Sequence, residues 1–246
     1  MNTSPDAIRR TPAESPQHPT SARMHRLTLR FADAGLEQAF AEEQARKSLR
    51  PIRIALVCAG AGALVLWPAV IRIVPSIQEQ IPRMIALMLA MLAICYALTH
   101  TQVFLRRHQW LMLALACVMS AGLIWAVTLY PPQMREASGF FLLAIHLFSI
   151  YGVFRLRFPA AVAGGWISVA MYLFLLDALG FLPESAVFRH AEALVGANVW
   201  GMLICYQMDL AIRRAFLAMR DVAAEHERSE RLLLNILPAE LAKELS

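Results

Sequence analysis

Six stretches of this chain contain almost no charged residue, and each is about as long as the roughly 20 apolar residues that cross a bilayer. They are residues 54–71, 84–105, 109–134, 137–154, 158–176 and 193–208. Hydrophobic residues make up 58% of the chain and charged residues 17%, against about 45–50% and about 25% in soluble domains. The sequence therefore predicts an all-α membrane protein with six transmembrane helices, the last of which extends to residue 212.

Basic residues are concentrated on one side of the predicted spans. That side carries Arg46, Lys47, Arg50, Arg53, Arg106, Arg107, Arg155, Arg157, Arg213, Arg214 and Arg220, and the other carries Arg72, Arg83, Arg135 and Arg189. Because cytosolic loops hold the excess of Lys and Arg, both termini are predicted to be cytosolic. The net charge of +5 then indicates contact with anionic lipid headgroups of the bilayer rather than with nucleic acid.

The composition divides the chain into five parts. Proline-rich residues 1–26 are predicted to be a disordered cytosolic tail, and helical spacing after a capping Asp33 predicts a juxtamembrane helix in 27–52. The six-helix bundle occupies 53–212, a cytosolic signalling helix 213–237, and a short transducer segment 238–246.

Acidic and imidazole side chains gather near the predicted outer loops. The candidate ligand-binding residues of this extracellular face are Glu79, Glu136, Asp177, His190 and Glu192. Since carboxylates and imidazoles bind divalent metals, one interpretation is a site for a cation or another charged ligand. The other is a solvated rim of Arg–carboxylate pairs that contribute little.

Small and polar residues inside the spans leave two questions open. Ala161 with Gly165, and Ala197 with Gly201, have the four-residue spacing that lets helices approach closely. This spacing fits packing within one chain and dimerisation equally well. His146 is costly to place in lipid, and so is Asn198.

The sequence predicts neither a metal centre nor a catalytic site. The four cysteines lie inside spans without a C-x-x-C pair and are expected to fill small gaps in an apolar bundle. Motifs of phosphate-binding loops, zinc proteases and serine hydrolases do not occur in these residues.

Residues after the sixth span repeat at 4-3-4-3 spacing. They are Ile212, Phe216, Met219, Ala223, His226, Glu230, Leu233 and Leu237. This a/d seam predicts a parallel coiled coil in a homodimer, weakened by His226 and Glu230. The alternative is a cytosolic helix that lies along other protein. A weak seam also suits a switch between two packings.

The tail RLLLNILPAELAKEL follows, and Pro238 predicts that one helix ends near Leu237 and a short one begins. This tail resembles the linker before the catalytic domain of class III adenylate/guanylate cyclases. The matching residues are Leu233, Asn235, Leu237, Pro238, Ala242 and Leu245. Residues 27–246 are similar to the N-terminal half of bacterial six-span membrane-bound adenylate cyclases.

The resemblance implies a membrane anchor, dimer former and receptor-like regulatory domain in a bacterial inner membrane. The whole enzyme would convert ATP to cyclic AMP and diphosphate with Mg or Mn in a catalytic domain that follows in cis. No catalytic residue of that family has a counterpart in these 246 residues. Met219, Leu233, Asn235, Leu237 and Pro238 are the candidate signal-transducing residues.

Two other functions remain open from the sequence. The bundle could be a membrane sensor for a different cytosolic output domain, which would follow the tail in the gene. It could also be a small transporter, for which His146 and Asn198 are the only support, because no internal repeat is evident. An unknown extracellular or lipid ligand is compatible with each of these functions.

Overall fold

The computed structural model describes residues 24–73, 75, 78–180 and 183–236. These residues form six long helices and one π-helical turn. The elements are α1 (Ala34–Ile73), α2 (Ile81–Leu98), α3 (Gln102–Leu129), α4 (Pro132–Phe148), the π-helical turn (Ser149–Val153), α5 (Phe158–Ala178) and α6 (Glu184–Ile236). The described part of the chain has no β-strand, only an isolated antiparallel bridge between Met24 and Phe31. The predicted all-α fold is confirmed.

Helix α1 begins where the sequence predicts a cap. The side chain of Asp33 accepts a hydrogen bond from the amide of Leu36 at 2.9 Å, which satisfies one of the free N–H groups of the first turn. The helix then continues through Pro51 and Pro68 to Ile73. The predicted juxtamembrane helix and the first predicted span are therefore parts of one continuous helix.

Five segments are long and apolar enough to cross a membrane, which indicates a membrane protein. They are Ala34–Ile73, Ile81–Leu98, Gln102–Leu129, Met134–Val153 and Phe158–Leu175. Helix α6 is not among them, because its apolar stretch is short and continues into Asp209 and Arg213. The sixth span stays a prediction.

Side-chain burial separates an interior from an apolar outer surface. The interior includes Leu115, Ile124, Leu147 and Leu194, which are all buried. Many large apolar side chains point away from the bundle instead, among them Val65, Leu87, Phe141 and Phe174. Such a surface suits a hydrocarbon surrounding and would be a liability in water.

The bundle has two ends. Residues 24–53, 99–109, 154–160 and 206–220 lie near one end, where contacts such as Arg53 to Thr99 and Arg157 to Glu37 join them. We call this the basic end. At the opposite end, Ile81 packs against residues of α1 and α3, including Ile71 and Leu129.

Polar side chains inside the bundle are bonded to each other. Ser120 Oγ of α3 lies 2.8 Å from His146 Nε2 of α4 and 2.7 Å from Ser168 Oγ of α5. Each serine hydroxyl also lies within hydrogen-bond distance of a carbonyl oxygen of its own helix. All three side chains therefore have hydrogen-bond partners. His146, which is costly to place in lipid, joins α3, α4 and α5 through these bonds.

The π-helical turn inserts an aromatic side chain between α5 and α6. Tyr151 Oη donates to Asn198 Oδ1 of α6 at 2.5 Å. Added Cβ atoms at Gly165 and Gly201 would both meet Tyr151 inside hard contact. The small residues of these two helices therefore accommodate Tyr151 within one chain.

This packing predicts opposite effects for two glycines of α6. Gly201→Ala should lower the free energy of unfolding by about 1–3 kcal/mol, because the new methyl group collides with the Tyr151 ring. Gly196→Ala should be neutral or stabilising by up to about 1 kcal/mol, because no atom lies within 4 Å of the added Cβ. Denaturant unfolding of the purified protein in detergent measures both, and equal effects would contradict this packing.

Candidate regulatory site at the base of the last helix

Four charged side chains from three parts of the chain meet where α6 leaves the bundle at its basic end. They are Glu37 of α1, Arg157 just before α5, and Asp209 and Arg213 of α6. We call these four residues the Arg213 cluster. They join segments that are up to 176 residues apart in the sequence.

Arg213 is the centre of the cluster and is only 1% exposed. Its Nη1 and Nη2 atoms donate to the two carboxylate oxygens of Glu37, at 2.7 and 3.2 Å. This two-pronged geometry is the strong form of an arginine–carboxylate pair. Arg213 Nε also lies 3.3 Å from Oδ1 of Asp209, one helical turn earlier.

Glu37 receives two further hydrogen bonds. Arg157 Nη1 donates to Glu37 Oε1 at 3.2 Å, and the amide of Phe31 donates to Oε2 at 3.0 Å. Burial by itself would raise the pKa of Glu37. The hydrogen bonds from Arg213 and Phe31 and the two guanidinium charges outweigh burial, so the pKa of this carboxyl lies below its ordinary value. Glu37 is therefore ionised at neutral pH.

Three phenylalanines enclose the cluster on one side. The rings of Phe31, Phe40 and Phe216 pack against each other with centroids 5.3–6.2 Å apart. The guanidinium carbon of Arg213 lies 4.3 Å from the Phe40 centroid and 5.0 Å from that of Phe31. These cation–π contacts and the exclusion of water strengthen the ion pair beyond what a surface pair would contribute.

The connection before α5 is fixed to the same cluster. Asp209 Oδ2 accepts a hydrogen bond from the amide of Phe158 at 3.3 Å, at the first residue of α5. Gln109 Oε1 of α3 accepts from the amide of Arg157 at 2.8 Å. Through these bonds the start of α5 and the side chain of Arg157 are held against α3 and α6.

Beyond the Arg213 cluster, the residues of α6 change from buried to exposed. Phe216 is buried, whereas residues 218–233 are all exposed. The roughly 20 residues from Phe216 to Ile236 extend about 30 Å at 1.5 Å per residue. A continuous helix thus runs from the bundle interior, through the cluster, to a free and exposed end.

The predicted a/d seam has one part that packs within the chain and one part that is exposed. Ile212 and Phe216 pack against Phe31 and Phe40 of the same chain. Met219 and Leu233 are 61% and 59% exposed. Between them, His226 Nε2 lies 3.1 Å from Glu230 Oε1 on the surface of the helix. Only the seam from Met219 onward is therefore open to a partner.

The remaining predicted signal-transducing residues cannot be placed. The backbone of Asn235 belongs to the last described turn of α6, and its side chain is not among those that the structure describes. Leu237 and Pro238 lie outside the described residues, as do the predicted transducer segment and most of the predicted N-terminal tail.

The predicted ligand-binding residues of the opposite end are only partly brought together. Glu136 and His190 line one cavity of about 380 Å³, where Glu136 pairs with Arg189 and His190 Nδ1 lies 3.0 Å from Tyr172 Oη. Burial lowers the pKa of His190. Glu79, Asp177 and Glu192 are exposed and do not line this cavity.

The acidic and imidazole side chains of the described residues do not come together as a metal centre. Within the described ranges, no three His, Cys, Asp or Glu side chains are close enough to hold a metal ion. The Glu136–Arg189 pair is about half exposed, so it contributes little to stability.

The sequence places Arg157 and Arg213 among the charges of one membrane face. It indicates no role for Glu37 or Asp209. One signal was present. Asp209 and Arg213 have the i, i+4 spacing of a helical ion pair, at the end of an apolar stretch. The contact with Glu37 has no such signal, because it depends on how α1 packs against α6.

No family model matches the chain, and no solved structure matches it.

The buried pair predicts a large effect of one uncharged substitution. Glu37→Gln should lower the free energy of unfolding by about 3 kcal/mol, because it leaves the buried charge of Arg213 without its main partner. Glu43→Gln removes the same charge from an exposed pair with Lys47 and should change it by less than about 1 kcal/mol. Denaturant unfolding in detergent compares them, and similar losses would show that the Glu37 pair is not specially stabilising.

The lowered pKa of Glu37 predicts loss of stability in acid. A carboxyl whose pKa is lower in the folded protein stabilises it fully above the ordinary value of 4.5, and that contribution is lost as the pH falls through the lower, folded-state pKa. Unfolding midpoints measured from about pH 7 to about pH 3 should therefore decline more steeply below pH 4.5 for the native chain than for Glu37→Gln. Parallel profiles would assign the acid sensitivity to other groups.

Proposed function

We propose that this chain is the membrane anchor, dimerisation and receptor-like regulatory domain of a class III adenylate cyclase. In this proposal six spans cross a bacterial inner membrane, and both termini are cytosolic. The support from sequence is the tail RLLLNILPAELAKEL, with Leu233, Asn235, Leu237 and Pro238 at the positions of the family's linker. The arginines of the basic end support this orientation.

The observation that carries the proposal is the course of α6. It is one helix from Glu184 to Ile236, and it leads without a break from the bundle interior into the resembled linker. A continuous helix can pass a shift or rotation from its packed half to its free half. This is the geometry expected of an output element.

The proposal assigns no chemistry to this chain. In the resembled family the active site forms between two catalytic domains, which supply the residues for Mg or Mn and for ATP. The distance and rotation between two output helices then decide whether the two halves of that site meet. The Arg213 cluster determines where each α6 emerges, so it is the element through which the bundle acts.

The free part of α6 supports association of two copies. Met219, Val222, Leu232 and Leu233 are large apolar side chains of this part with at least half of their surface exposed. Lys47 of α1 contacts only one of them, with Nζ 3.9 Å from Met219 Sδ among the described residues. Burying them in a dimer would recover hydrophobic free energy of about 1.5–3 kcal/mol for each side chain fully buried. The ion pair of His226 with Glu230 makes this seam weak, which is useful for a switch.

A fusion protein tests the proposal. Residues 1–246 would be joined at Ser246 to the catalytic domain of a bacterial membrane-bound adenylate cyclase, and cyclic AMP formation would be compared with that of the catalytic domain alone. We expect the fusion to be several-fold more active, because the output helices hold two catalytic domains together. Equal activities would contradict the proposal.

Substitutions in the free part of α6 make the test specific. Met219→Asp in the fusion should abolish the gain in activity and the dimer, because two charges would oppose each other in the seam. Ala224→Asp adds the same charge to an exposed position outside the seam and should preserve both. Chemical cross-linking in membranes measures the dimer. A Met219→Asp fusion with full activity and full cross-linking would refute this role of the seam.

A further inference from the structure

A cavity lies at the basic end, between α1, α3 and α5. Its volume is about 770 Å³. One wall comes from the N-terminal part of α1 and the residues just before it, and the other from the first turns of α3 and α5. Two members of the Arg213 cluster, Arg157 and Arg213, belong to its lining.

The lining of the cavity is strongly cationic. Its arginines are Arg30, Arg46, Arg106, Arg107, Arg157 and Arg213. The only carboxylate in its lining is that of Glu42, which accepts a hydrogen bond from Gln38. Arg157 and Arg213 are paired with Glu37, but the other four arginines have no ion pair or hydrogen bond from their side chains in the described part of the chain.

The N-terminal ends of two helices add to the positive potential of the cavity. Helices α3 and α5 both begin at this cavity, so the positive ends of their dipoles face it. Helix α3 departs from helical geometry at Arg107, with φ −124° and ψ 18°. In addition, Nε of Arg157 is buried without a hydrogen-bond partner among the described residues. An anion is the ligand that these helix ends and the four arginines without an ion pair would attract.

Another part of the lining is apolar and continues along the helices. Leu105, Trp110 and Leu113 of α3 and Ala160 and Ala163 of α5 form this part. Trp110 is 74% exposed on the outer surface of the bundle. Tryptophan is typical of the interface between headgroups and hydrocarbon. The cavity therefore combines a cationic rim with an apolar wall at the edge of the membrane.

We propose that this cavity binds an anionic phospholipid, whose phosphate lies among the arginines and whose acyl chain follows α3 and α5. A free phosphate would use only the cationic rim, whereas a lipid also uses the apolar wall beside Trp110. Basic cavities between membrane helices are known to take anionic headgroups.

Lipid titration of the purified 246-residue chain tests the proposal. Native mass spectrometry from detergent would count bound phosphatidylglycerol, with phosphatidylcholine of the same acyl chains as the zwitterionic comparison. We expect phosphatidylglycerol to bind at least tenfold more tightly. The double variant Arg106→Gln/Arg107→Gln should lose at least tenfold of this affinity, because both charges at the rim are removed.

A matched variant controls for net charge. Arg50→Gln/Arg214→Gln removes two exposed arginines from the same end without touching the cavity lining, and its affinity should stay within about twofold of the native value. If Arg106→Gln/Arg107→Gln unfolds at a lower denaturant concentration, Arg30→Gln/Arg46→Gln on the other wall replaces it and should show the same loss of lipid.

Three results would overturn the proposal. Equal binding of the two lipids would show that charge does not select the ligand. Equal losses in the cavity and control variants would show attraction by net charge alone. Displacement of phosphatidylglycerol by millimolar inorganic phosphate would assign the cavity to a soluble anion.

A second measurement locates the acyl chain. Phosphatidylglycerol with brominated chains should quench the fluorescence of Trp110 in the native chain, and the quenched fraction should fall in Trp110→Phe. Unchanged quenching in that variant would place the bound chain elsewhere and contradict the proposed position.

Discussion

The guanidinium group of Arg213 is almost completely buried at a point where the chain changes from an apolar bundle to a solvated helix. A charge in that position is costly unless it is fully paired. Its partners come from distant segments, since Glu37 belongs to the first helix and Asp209 to the last. The need to pair this one charge therefore fixes α1, the start of α5 and the exit of α6 in one arrangement, and the aromatic rings keep water from weakening it.

The interior of the bundle obeys the same requirement with neutral groups. Ser120, His146 and Ser168 bond to each other across three helices, and Tyr151 bonds to Asn198 between two others. In a surrounding that offers no water, polar side chains that bond to each other specify which helices must be neighbours. Glycines at the contact with Tyr151 let the helices approach closely enough for that bond.

The basic end brings α6 and the proposed lipid site together. Arg157 and Arg213 belong to the Arg213 cluster and also line the cationic cavity. An anion in that cavity would act on the same guanidinium groups that hold α6 to α1. In our proposals the composition of the membrane and the position of the output helix are thus connected through two arginines.

The sequence by itself determined the all-α fold, the apolar stretches of five long helices, the cap at Asp33 and the bias of arginines toward one end, because length, hydropathy and capping are local properties. It could not join Glu37 to Arg213 or Tyr151 to Gly201, since these contacts depend on how whole helices pack. It counted Arg157 and Arg213 only among the charges of one membrane face, although the fold buries or half-buries them in pairs. Only the tertiary structure decided which polar groups meet, because an unpaired charge or hydroxyl in an apolar interior is penalised by its three-dimensional surroundings and not by its place in the chain.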